Sequence, residues 1–85
     1  MARFRIIQTS KEEDAFIIYG HLLEGQIHEG MQIHVPLNNS LDVTGVINEV
    51  IKNPHHHEIA IECSNADEAD FWDILNLIGE VIVIK

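Results

Sequence analysis

Three consecutive imidazoles, His55-His56-His57, with Glu58 directly behind them, are the most conspicuous chemistry-bearing residues in this 85-residue chain. Imidazole and carboxylate are donors of zinc and nickel sites. Consecutive residues seldom converge on one ion, however, because ligands come from alternate strand positions, from i and i+4 of a helix, or from separate elements. The run reads as a solvated loop, and no metal site is expected. His28 and His34 flank Gly30 and read as polar-face residues rather than a ligand pair. Cys63 ends an Ile-Ala-Ile segment without a basic neighbour, the setting of a packed thiol and not of an activated one. The carboxylate pairs Glu12/Glu13 and Asp67/Glu68 stand in polar connections with no apolar pocket around them, which suits solvation and helix capping better than acid–base work. Ser10, Ser40 and Ser64 occupy turn or cap contexts, so no nucleophile elbow is readable. The chemistry-bearing residues thus predict neither an enzyme nor a cofactor.

The elements that position these residues are mostly strands. Phe4 to Ile7 reads as the first, the polar Ser10 to Asp14 as a connection, and Ala15 to Tyr19 as the second, continuing past Gly20 through Leu22 and Leu23. Gly20, Gly25 and Gly30 recur at intervals of five and mark bends between pleated segments, since glycine supplies positive φ and a side-chain-free surface. Met31, Ile33 and Val35 alternate with Gln32 and His34 as a third strand, which Pro36 limits. Asn38-Asn39-Ser40 is a turn, and Leu41 to Ile51 a longer fourth strand in which Gly45 permits a bulge or bend. After the Asn53 to His57 loop, Glu58 to Cys63 alternates again as a fifth strand. Asn65 to Glu68 has capping-box spacing and opens a helix from about Ala66 to Leu77, with Phe71, Leu75 and Ile78 on the face that covers a barrel end and Gly79 as its stop. Trp72 beside that face is read as core, with a partner-anchoring role as the alternative. Val81 to Ile84 supplies the sixth strand.

The charge balance narrows the partners. Fourteen acidic residues stand against five basic ones, Arg3, Arg5, Lys11, Lys52 and Lys85, for a formal net charge of −9. Phosphate neutralisation by Lys and Arg dominates non-specific nucleic-acid affinity, so this balance opposes nucleic acid. An anionic surface suits basic proteins, or simply solubility. One cysteine makes no internal disulfide, MARFRII is too short and interrupted for a signal peptide, and no apolar run approaches the ~20 residues that span a bilayer. The expectation is a single cytoplasmic domain spanning 1–85, with no membrane contact.

With Phe4 and Ile6 in the first strand, the unit Gly20, Gly25, Ile27 and Gly30, then Val43-Thr44-Gly45-Val46 and Gly79-Glu80-Val81-Ile82, the order of elements resembles domain 2 of elongation factor Tu and related translational GTPases. The resemblance covers most of the chain. It implies a mainly β fold: a closed six-stranded Greek-key-type β-barrel, the translation-protein barrel, with one short helix between strands five and six. The barrel is also used in ribosome maturation factor RimM. No P-loop is present, so the GTPase engine is absent. Met1-Ala2-Arg3 replaces the acidic pair that the factor places before the first-strand Phe, and Tyr19 replaces its Thr, so the aminoacyl-tRNA 3′-end pocket does not carry over. The family's Ala-Gly-Asp turn is missing from the shorter loop Asn53 to His57.

The function expected is that of a stand-alone, non-catalytic binding module that contacts a basic protein, in the ribosomal setting the resemblance suggests. Glu24, Glu29, Asp67, Glu68, Asp70 and Asp73 are the candidate partner-binding residues, on the condition that they share a surface. Two alternatives stand beside it. One is an RNA or ribonucleoprotein contact, which needs Arg3, Arg5 and Lys52 to cluster. The other is a self-associating module, which needs Val81 to Ile84 or Phe4 to Ile7 as an open strand edge.

Overall fold

Alternation of large aliphatic and polar residues along six segments forces pleated strands whose inner faces must meet, and in the computed structural model they do so as a closed antiparallel barrel. The structure describes residues 1–36 and 40–85. The strands are β1 (Ala2–Lys11), β2 (Ala15–Glu24), β3 (Gln32–Pro36), β4 (Asp42–Lys52), β5 (His57–Glu62) and β6 (Val81–Ile84), with α1 (Ala66–Ile74) between β5 and β6. Around the barrel they run β1-β2-β5-β4-β3-β6 and back to β1. β3, β4 and β5 are consecutive neighbours and β2 lies beside β5, a Greek-key order. Asn38 and Asn39 of the expected turn lie outside the described residues.

β1 is longer than the expected Phe4 to Ile7. It runs through the polar Gln8-Thr9-Ser10-Lys11, because those residues pair with Tyr19, Ile18, Ile17 and Phe16. Its inward residues Ala2, Phe4 and Ile6 are buried, and the register then slips between Ile6 and Gln8, leaving Ile7 exposed. The β1–β2 pair also shifts between Arg3 and Phe4, and a further slip lies between Ile47 and Glu49 in β4, so inward positions change from Val43, Gly45 and Ile47 to Val50. The bulge expected at Gly45 therefore falls at Asn48.

Gly20 is not a bend but the interior of β2, opposite Ile6. A Cβ there would run into the Arg5 carbonyl oxygen and lie 2.8 Å from the Phe4 ring, so the glycine is needed for strand approach rather than for φ. Gly25, Gly30 and Gly79 do take positive φ, of 81°, 89° and 90°, and stand in connections.

Two plugs close the core. Ile27, from the β2–β3 connection, is buried at the end where β1 begins, and Trp72 of α1 is buried at the end where β1 finishes. Trp72 stacks on Phe16 with centroids 6.2 Å apart and planes 22° from parallel. Closure leaves Phe4 to Ile7 flanked by β2 and by the Glu80–Ile84 segment, and pairs β6 with β1 throughout and with β3 through Val83 and Ile84, so the edge that self-association would need is largely occupied. Among the described residues no helix is long and apolar enough to cross a membrane.

Candidate functional site

The helix forms where Asn65 ends the extended chain and its side-chain oxygen accepts the Glu68 N–H at 3.0 Å. The Glu68 carboxylate reaches back to accept the Ser64 N–H, completing a capping box shifted by one residue. Asp67 and Glu68 in the first turn face the positive end of the helix dipole. α1 stops at Ile74, three residues short of the expected Leu77, because Asn76 adopts φ 52° and turns the chain back toward Leu77, which is buried.

The buried face of α1 is not the expected one. Ala69 and Trp72 point into the barrel end, Trp72 with 5% of its surface exposed, whereas Phe71 is 44%, Ile74 79% and Ile78 54% exposed. Only Leu75 of the expected trio packs partly against the core. The reason is a notch: Gly45 of β4 lies against the Trp72 ring, and any Cβ there would come within 2.7 Å of it. The ring that fits this notch decides which way the helix turns. Phe71 and Ile74 are left on the outer face of α1, with Asp67 and Asp70 beside them at three- and four-residue spacing, an apolar pair bordered by carboxylates, and Ile78 is exposed in the connection beyond the helix.

The six expected partner-binding carboxylates divide. Asp67, Glu68, Asp70 and Asp73 share α1. Glu24 pairs with Arg3 at the opposite end of the barrel, and Glu29 lies in the connection beyond it. From Arg3 to Lys11 the strand climbs about 25 Å at ~3.3 Å per residue, so these two belong to a different end from α1. Other carboxylates take their place. Glu12, Glu13 and Asp14 form the β1–β2 connection, where the Asp14 carbonyl accepts the Cys63 N–H, and Glu62 ends β5 opposite Ala15. Among the described residues at least eight carboxylates thus lie at the barrel end that carries α1, with one ammonium group, Lys11, held 2.6 Å from Asp70. The hydrogen bond and charge of Asp70 raise the Lys11 pKa above its ordinary value. Between α1 and β4 this rim opens a recess of about 370 Å³, lined by Val43, Thr44, Asn65, Asp67, Glu68, Phe71 and Trp72.

The thiol and the histidines weighed for chemistry lie apart from this rim or are closed off. Cys63 is buried, its thiol donating toward the Ile61 carbonyl, and burial with the nearby Glu68 and Asp14 charges pushes its pKa up. The histidine run begins at the turn between β4 and β5, at the other end of the barrel. His57 meets the Phe4 ring edge-on at 6.5 Å, and His56 lies beside Tyr19 at 6.4 Å. Burial, followed by the charges of Lys52, His56 and His21, lowers the His57 pKa. His28 sits in the β2–β3 connection and His34 inside β3, opposite Thr44 and Val83. Among the described residues no three His, Cys, Asp or Glu side chains are arranged to hold a metal ion. Lys52 is three inter-strand spacings from β1, about 14 Å along the barrel wall, so it does not join Arg3 and Arg5 in a cluster.

The exposed strip on α1 escaped the periodicity argument because Phe71, Trp72, Ile74 and Leu75 crowd four apolar residues into five positions, more than one helix face can hold. That crowding was the available signal. No protein-family model, no curated protein and no solved structure matches this chain.

Proposed function

We propose that the protein is a non-catalytic binding module that docks a basic protein on the α1 rim. The observation that carries this reading is the exposed pair Phe71 and Ile74 on the outer face of α1, set at a barrel end where at least eight carboxylates of the described residues gather around one ammonium group, Lys11. Interfaces concentrate their affinity in a few desolvated aromatic and aliphatic anchors, while a charged surround steers the partner and rejects partners of like sign. A basic surface with an apolar centre is the complement. The translation-factor resemblance directs the search toward ribosomal proteins, which meet that description in charge. A thiol-nucleophile role draws no support from the site, since the single thiol is buried with its pKa raised.

The test is affinity capture from lysate with and without nuclease, using the natural chain beside Phe71→Ser/Ile74→Ser and Asp67→Asn/Asp70→Asn/Asp73→Asn variants. The reading expects basic proteins that survive nuclease and are lost with both variants. Partners that vanish with nuclease would transfer the function to RNA, and partners unaffected by either variant would remove the α1 rim from it.

A further inference from the structure

On the outer wall, a depression of about 230 Å³ lies over Ala60, lined by Glu12, Ile17, Tyr19, Glu49, Ile51, Glu58 and Ala60. Its shape follows from strand register. Ile17, Ala60 and Glu49 stand in one row across β2, β5 and β4, and Tyr19, Glu58 and Ile51 stand in the next. Outward residues in such rows are neighbours, so one alanine among five larger side chains leaves a dimple.

Three features give it a chemical preference. Ile17, Tyr19 and Ile51 provide an apolar lining with one aromatic ring. Glu49 and Glu58 lie diagonally across the β4–β5 pair, a spacing of about 7 Å at Cβ, and Glu12 closes a third side. Glu58 is braced by Asn53, whose amide donates to one carboxylate oxygen at 3.1 Å and leaves the other free of it. Among the described residues no Lys or Arg lines the depression and no ion pair reaches these three carboxylates. The neighbouring Lys11 is committed to Asp70.

An apolar lining with an aromatic face and unneutralised carboxylates on its border is the complement of a guanidinium group on an aliphatic stem. Arginine stacks on aromatic rings and forks onto carboxylates, and it sheds water more readily than an ammonium. We infer that the Ala60 depression receives an arginine side chain of the basic partner. The inference rests on the reading of a basic protein partner and adds to it a second point of contact. Glu12 joins the two surfaces, since it belongs both to the depression and to the acidic rim.

The test is an amide NMR titration of the full chain with three blocked peptides identical except for a central arginine, lysine or citrulline. The arginine peptide is expected to shift Tyr19, Ile51, Glu58 and Ala60 saturably, and citrulline, which lacks the charge, to bind at least about fivefold more weakly. Ala60→Leu fills the depression without altering charge and removes those shifts. Glu49→Gln, at an exposed position, weakens binding about threefold to fivefold even if the alanine variant does not fold. Equal binding of all three peptides, lysine binding as tightly as arginine, or shifts that persist in Ala60→Leu would overturn the inference. Arginine-dependent shifts confined to residues 66–75 would overturn it while sustaining the α1 reading. Shifts at the depression from a chain that captures no basic protein would do the reverse.

Discussion

Gly45→Ala is the sharpest test of how α1 is held. The added Cβ would sit 2.7 Å from Cζ2 and 3.2 Å from Cη2 of Trp72, and 3.0 Å from Cγ2 of Ile61. The closest approach is about 0.7 Å inside ordinary contact, on the steep part of the repulsive wall. Relief requires the buried Trp72 ring to leave its place over Phe16 and shift toward the recess between α1 and β4. Overpacking of this kind costs about 1–3 kcal/mol. For a domain of this size each kcal/mol moves Tm by about 4–8 °C. Thermal unfolding followed by circular dichroism reads the cost, and emission from the single tryptophan reports whether its ring has moved toward water. The decisive measurement is the cycle with Trp72→Phe, whose smaller ring vacates the clash. In that background Gly45→Ala is expected to cost at least about 1 kcal/mol less than in the natural chain. Effects that add to within about 0.5 kcal/mol would refute the notch as the feature that seats the helix.

Three further outcomes follow from the same geometry. Gly20→Ala forces a methyl onto the backbone carbonyl of Arg5, which no rotamer change relieves, so it is expected to unfold the chain or cost more than Gly45→Ala, whereas Gly30→Ala, with nothing within 4 Å, costs about 1 kcal/mol through its φ of 89° alone; denaturant midpoints rank the three. His57 has its folded pKa below the ordinary value of about 6.5, so the unfolded chain takes up its proton first and stability falls as pH drops below about 6.5 toward the folded pKa; the Tm difference between the natural chain and His57→Gln should shrink between pH 7.5 and pH 5, and a constant difference would remove His57 from the acid response. Cys63, buried and with its pKa raised, is expected to resist a thiol reagent at pH 8 in the folded chain and to react fully in denaturant, with rapid labelling of the folded protein contradicting its place in the core.

What could be read in the residues was whatever one strand or one turn decides by itself. Alternation located β3 and β5, and the Asn65 to Glu68 spacing located the start of α1. What could not be read depends on pairing. The bulges after Ile6 and Ile47 fall at residues with no glycine to announce them, while Gly20 and Gly45, which look like bends, are glycines because another element passes within reach of where a Cβ would be. The candidate carboxylates divided for the same reason: Glu24 and Asp70 look equivalent in a composition, but antiparallel register sends them to opposite ends of the barrel. The Ala60 depression was invisible in β5 alone, where Ala60 simply counts as a position on the polar face. It exists only once Ile17 and Glu49 are placed on either side.

The notch and the proposed docking surface have one cause. α1 carries apolar side chains on two faces and a single rim can bury only one of them. Trp72 and Ala69 are buried because Gly45 leaves space for an indole and Phe16 offers it a stacking partner. With that face chosen, helical geometry leaves Phe71 44% and Ile74 79% exposed, and each Å² of apolar area so left in water forgoes about 25 cal/mol. Turning the helix to bury them would expose the tryptophan and empty the notch at Gly45, so the exposed pair is the counterpart of that packing. Seated through Trp72 and Ala69, the helix holds Phe71 and Ile74 on one outer face with carboxylates beside them, and in the proposed docking such preorganisation would spare ordering entropy that a flexible surface loses on binding.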